Sequence, residues 1–159
     1  NQLLLRSGPM FPGLLVHKRA LEQIGLLDID CPTFQEWDTA IRLARICSFV
    51  HVVEPLFDWI WHGSETISKN FGSNLRGHEY VLRKHRGEIL RIHGIRGWRL
   101  VVAELTAKAL SFGQVHVAQQ LADENLPPLA RLFVSALGRA GTVPRGGVRI
   151  LRSLSQLPV

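Results

Sequence analysis

The chain has 159 residues, 46% of them hydrophobic and 20% charged, with a formal net charge of +6. That length suits one domain, or one domain with an appendage, and a chain of this size buries about 70% of the surface it exposes when unfolded. The composition excludes a disordered chain, and no apolar run approaches the roughly 18 residues of a membrane span.

Two cysteines, Cys31 and Cys47, make no disulfide framework and point to a reducing, cytoplasmic compartment, with a peripheral position at a membrane left open. The chain opens at Asn1 without an initiator Met, as a fragment would. Its charge is uneven. Residues 1–70 hold 6 Lys/Arg against 8 Asp/Glu, a net −2, and residues 71–159 hold 13 against 5, a net +8. Such a basic excess fits a solvated helical face, or a partner that is nucleic acid or an anionic membrane surface. Nucleic acid is the weaker option, because the aromatics Phe71, Tyr80, Trp98, Phe112 and Phe133 do not interleave with the basic residues as a stacking platform would.

In chain order, Gly13–His17 reads as a short buried strand. Lys18–Ile24 has helical spacing through Ala20, Leu21 and Ile24, and Gly25 supplies a left-handed stop. Leu26–Pro32 is a loop carrying Asp28 and Asp30. Thr33 with Glu36 three residues on predicts a capping box, with Pro32 and Trp37 as a staple. Trp37, Ala40, Ile41 and Ala44 then form the apolar face of a helix, and Asp38 can pair with Arg42 at i,i+4 on another face.

Phe49–Val53 and Leu56–Trp61 read as strands separated by Glu54-Pro55. His62–Asn70 is a polar loop. From Ser73 the pattern is helical. Leu75, Leu82 and Ile89 repeat every seven residues, although Gly77 and Gly87 each cost a helix about 1 kcal/mol relative to Ala. Trp98, Val101/Val102, Leu105, Ala109 and Phe112 form an amphipathic stripe ended by Gly113. An αα-hairpin partner begins near Val117 and stops at Asn125 and Pro127-Pro128. Leu129–Leu137 and Val148–Leu154 make two further helices. The expected architecture is mixed α/β over residues 1–72, followed by a helical extension over 73–159.

Several of these pieces, in this order, resemble the second half of a family 2 glycosyltransferase domain of the GT-A fold. They are L-L-V-H-K-R-A-L-E-Q-I-G (Leu14–Gly25), L-L-D (Leu26–Asp28), Q-E-W-D-T-A-I-R-L-A (Gln35–Ala44), E-P-L (Glu54–Leu56) and W-x-W-H-x-S-x-x-I-S-x-N (Trp59–Asn70). The resemblance implies a partial GT-A domain and an inverting transfer of a sugar from a nucleotide-sugar donor to the hydroxyl of a carbohydrate acceptor. Such a displacement needs a base for the acceptor proton and stabilisation of the leaving diphosphate. In the family a divalent metal, Mg2+ or Mn2+, serves the diphosphate from an Asp-x-Asp motif in the nucleotide-binding half. That half is absent here, so the fragment alone is expected to be inactive. Asp28-Ile29-Asp30 has the Asp-x-Asp spacing but follows a helix stop, and it reads as the family's loop acid.

By the same resemblance Glu36 occupies the position of the catalytic base, while its capping-box role offers a purely structural alternative. Asp38 is the fallback base or an acceptor contact, against the alternative of a helix pair with Arg42. His62 lies where the family places a histidine on metal or diphosphate, and it also reads as an ordinary loop histidine. Trp59 and Trp61 suit sugar stacking or core packing, and Ser64 could donate to the acceptor. A second class of function stays open: a basic helical module docking on protein, anionic membrane or nucleic acid. A Gly-x-Ser-x-Gly elbow and a P-loop are both missing from the sequence, so hydrolase and NTPase readings lack support.

Overall fold

The computed structural model describes residues 2–58, 60, 70–141 and 146–157. Two single 3₁₀ turns, Gln2–Leu4 and Phe11–Gly13, precede six α-helices: α1 (Lys18–Gln23), α2 (Gln35–Leu43), α3 (Phe71–Ser111), α4 (Val115–Asn125), α5 (Pro128–Ala140) and α6 (Gly147–Ser155). Among the described residues there is no β-strand. The expected α/β architecture, a partial GT-A sheet, is therefore corrected to an all-α one.

The reason lies in what a strand requires. An isolated extended run gains nothing from its backbone until a second strand accepts its ladder. Leu14–His17 and residues 48–58 belong to no ladder. Their side chains have no cover either: Leu15 is fully exposed, Val50 is 89% exposed and Val53 86%. The β-propensity of Phe49–Val53 records fitness for a packed sheet surface, and no such surface is supplied among the described residues. Leu56–Asp58 and Ile60 are likewise unpaired, while Trp59 and Trp61 lie outside the described residues.

The chain divides into two compact units, one ending at Val81 and the other beginning at Leu82. In the first unit α1 ends where the sequence indicates. Gly25 has φ +81°, its N–H bonds to the Glu22 carbonyl, and the Leu26 N–H reaches back to the Leu21 carbonyl. This is a Schellman ending, which glycine makes without strain. Helix α2 buries Trp37, Ala40 and Ile41 of the expected apolar face, whereas Ala44 lies beyond its last turn and is exposed; Asp38, Thr39 and Leu43 are buried as well. The Trp37 indole N–H donates to the Leu3 carbonyl at 2.6 Å and so holds the first 3₁₀ turn on this helix.

Gly77, in the second turn of α3, has a contact that explains its presence inside a helix. A Cβ there would come within 2.6 Å of the Thr33 carbonyl oxygen and 2.9 Å of the Thr33 nitrogen. The absence of a side chain lets α3 lie directly on the turn that precedes α2. Helix propensity and packing therefore oppose each other at this position. Gly77→Ala is expected to destabilise the first unit by about 1–3 kcal/mol through overpacking against rigid backbone. Gly87→Ala, where nothing lies within 4 Å, is expected to stabilise by up to about 1 kcal/mol through propensity alone. Urea unfolding of the two variants distinguishes these signs, and a stabilised Gly77→Ala protein would refute the close approach.

In the second unit, α3 breaks at Gly94, whose φ of 64° and ψ of −170° lie in a region open essentially to glycine. The stripe Trp98, Val101, Val102, Leu105 and Ala109 is buried. Gly113 ends the helix with φ +70°, while the Gln114 N–H bonds to the Ala109 carbonyl. Helices α4 and α5 pack together, as do α5 and α6. The Trp98 indole N–H donates to Asn125 Oδ1 at 3.0 Å, and the Arg86 guanidinium lies 5.3 Å from the Trp98 ring centroid, a cation–π arrangement.

Candidate functional site

The residues with candidate chemistry gather at the start of α2. The capping box predicted there does not form. The N-cap of α2 is Phe34, in the left-handed conformation (φ 65°, ψ 27°) and without a side-chain cap. Thr33 turns its hydroxyl away and donates to the Ser73 carbonyl at 3.1 Å. Glu36 is consequently the second residue of the helix rather than the third, half-buried and free of the structural duty a capping box would give it. The Pro32–Trp37 staple is absent too, since Pro32 is exposed. Trp37 packs instead at 5.2 Å from the His78 ring and 6.0 Å from Phe34, and His78 also lies 5.4 Å from Phe34. These three rings fix the backbone on both sides of Gln35-Glu36. No Phe34 side-chain bond caps this N-terminus, and the positive end of a helix dipole favours an acidic residue such as Glu36 in the first turn.

Asp38 is placed quite differently. It is fully buried, and its Oδ2 accepts from Arg42 Nε at 2.8 Å. The pair foreseen at i,i+4 is thus present, and it extends further than the spacing indicates. Arg42 Nη1 donates to the Ile24 carbonyl at 2.8 Å and to the Leu26 carbonyl at 2.7 Å. One guanidinium therefore links α2 to the C-terminal end of α1, where unpaired carbonyls and the helix dipole both attract a cation. Asp38 holds that cation and does not meet solvent.

Asp28 is also committed. Its Oδ1 accepts from the Asp30 N–H at 3.0 Å and its Oδ2 from the Tyr80 hydroxyl at 2.9 Å. Both carboxylate oxygens are thus engaged within the protein. The Tyr80 contact spans 52 positions and carries no signal in the sequence. The hydrogen bond to Asp28, aided by burial and by the Asp28 charge, pushes the Tyr80 phenol up to about 12 from its ordinary 10.0.

Tyr80 is the only tyrosine in the chain, so a tyrosinate absorbance titration reads this one group. Its midpoint is expected near 12, returning toward the ordinary value in Asp28→Asn. A raised folded-state pKa means that the unfolded chain ionises first. The stability this tie contributes is therefore complete below pH 10.0 and is lost as pH rises toward 12. A midpoint at the ordinary tyrosine value would show that the Asp28–Tyr80 contact is not made.

The remaining candidates, Trp59, Trp61, His62 and Ser64, lie outside the described residues, as does Ser68. No group of three or more His, Cys, Asp or Glu suited to a metal ion occurs among the described residues. A surface depression of about 530 Å³ is lined by Gln2, Leu3, Arg6, Ser7 and Gly8, and Glu36 is not part of its lining. No helix among the described residues is long and apolar enough to cross a membrane.

No family model, no curated protein and no solved structure matches the chain.

Proposed function

We propose that these residues contribute the acceptor side of an inverting glycosyl transfer, with Glu36 taking the proton of the acceptor hydroxyl as the sugar leaves its nucleotide. One observation carries the reading. Of the two acids in Gln35-Glu36-Trp37-Asp38, Asp38 is sealed in an ion pair, whereas Glu36 stands half-buried at an uncapped helix N-terminus. A general base needs access to its substrate and a resting negative charge, and Glu36 alone of the two has the access. The order of motifs from Leu14 to Asn70, which resembles family 2 glycosyltransferases, supports the class of reaction.

The nucleotide, its sugar and any Mg2+ or Mn2+ belong in this reading to a second, nucleotide-binding segment of the same protein. Residues 48–58 support its existence. They adopt no regular secondary structure, belong to no ladder and expose Phe49, Val50, Val52, Val53, Leu56 and Phe57. A run that is apolar on both alternating faces suits a sheet covered on both sides, and a partner with an open strand edge would supply both ladder and cover. Cys31 and Cys47 are free thiols, which fits a cytoplasmic setting.

The test is release of nucleoside diphosphate from a panel of UDP- and GDP-sugars, with Mg2+ or Mn2+, by the natural protein that contains these residues. Acceptor-dependent release is expected for one donor. Release no faster than spontaneous hydrolysis for every donor would remove the transferase reading.

A further inference from the structure

Helices α5 and α6 carry Arg131, Arg139, Arg149 and Arg152 and no acidic residue. Helix α5 buries Ala130, Val134 and Leu137. Its outward stripe is not polar, as the solvent side of a surface helix normally is. Leu129, Leu132, Ala136 and Ala140 follow one another at helical spacing and are all exposed, Leu129 to 56% and Leu132 to 64%. Arg139 is exposed near the end of this stripe. On α6, Arg149 is exposed between Val148 and Ile150, and Ile150 is 47% exposed.

The arginines divide by use. Arg152 pairs with Glu104 at 2.9 Å, and Arg131 donates to the Leu126 carbonyl at 2.6 Å. Arg139 and Arg149 have no ion pair among the described residues, so their charge is available to a ligand.

From this we propose that the exposed face of α5 and α6 docks on an anionic lipid surface. Leu129, Leu132 and Ile150 enter the headgroup boundary, and Arg139 and Arg149 meet the lipid phosphates. Charge of one sign interleaved with exposed aliphatic side chains is the pattern by which a helix lies in a membrane interface. Nucleic acid would take the charge but has no use for exposed leucines. It stacks on aromatic rings, and the only aromatic residue of the two helices is Phe133, which is half-buried. The docking face shares no residue with α2, so it stands or falls independently of the transferase reading.

The experiment is vesicle flotation of the full chain with pure phosphatidylcholine and with phosphatidylcholine containing phosphatidylglycerol, at low and high salt. The expected result is binding only to the anionic vesicles, weakened by salt. The double variant R139Q/R149Q is expected to weaken binding about fivefold per arginine, and Leu132→Ser about tenfold. Lys18→Glu, on α1, serves as the charge control and should leave binding unchanged. All these side chains are exposed, and circular dichroism verifies that each variant folds. Equal binding to pure phosphatidylcholine, no flotation with either vesicle, an undiminished double variant, or capture by duplex DNA without vesicle binding would each overturn the proposal.

Discussion

Replacing Asp38 by alanine is expected to lower the unfolding free energy of the first unit by about 3–5 kcal/mol, the usual loss when one member of a buried ion pair is removed. The size follows from burial. Asp38 is inaccessible, and the Arg42 side chain is only 12% exposed. Removing the carboxylate leaves a guanidinium desolvated without a counter-charge. That cation must then expose itself by releasing the Ile24 and Leu26 carbonyls, which frees the C-terminal end of α1 from α2. Surface pairs of the same spacing contribute only about 0.3–0.5 kcal/mol. The magnitude therefore decides whether the pair is a surface feature of α2 or the attachment of α1 to it. Urea unfolding measures it, and a loss below about 1 kcal/mol would place the pair in the surface class.

Glu36→Gln has the opposite expected signature. The amide preserves shape and half-burial, and no hydrogen bond or ion pair of the fold depends on the Glu36 side chain among the described residues. Stability should therefore change little, with a modest loss from removing a charge favoured by the helix dipole, about 0.3–1 kcal/mol. The transfer rate should fall by about 10²–10⁴-fold, the usual contribution of a general base. Glu36→Asp shortens the side chain and keeps the proton acceptor, so it should retain a larger part of the rate than the amide does.

The helices were legible where their determinants are local. The stripe from Trp37 to Ile41, the left-handed stops at Gly25 and Gly113, and the stop of α4 before Pro127-Pro128 all act within a few residues of themselves. The capping box failed because Thr33 has a competing partner 40 positions away, the Ser73 carbonyl, and local spacing cannot rank a distant acceptor against a near one. Gly77 looked like a weakness of α3 and is instead the point where that helix meets the turn at Thr33.

The β-like runs misled for a different reason. Phe49–Val53 says that this segment is suited to burial while extended, but not what would bury it. In the candidate site, Glu36 and Asp38 were visible as a pair of acids on α2. Their separation into an accessible and a sealed carboxylate was not, because it depends on Arg42 reaching back to Ile24 and Leu26. The Asp28–Tyr80 contact was invisible for the same reason of sequence distance.

The central claim is a division of labour between two carboxylates two residues apart: Asp38 holds the fold and Glu36 is kept for chemistry. The most direct test measures urea midpoint and nucleoside diphosphate release together, for Glu36→Gln and Asp38→Ala, in the natural protein that contains these residues. The expected result is a near-native midpoint with the rate lost for Glu36→Gln, and a collapsed midpoint for Asp38→Ala. A Glu36→Gln protein that keeps its rate, or that unfolds as readily as Asp38→Ala, would contradict the account.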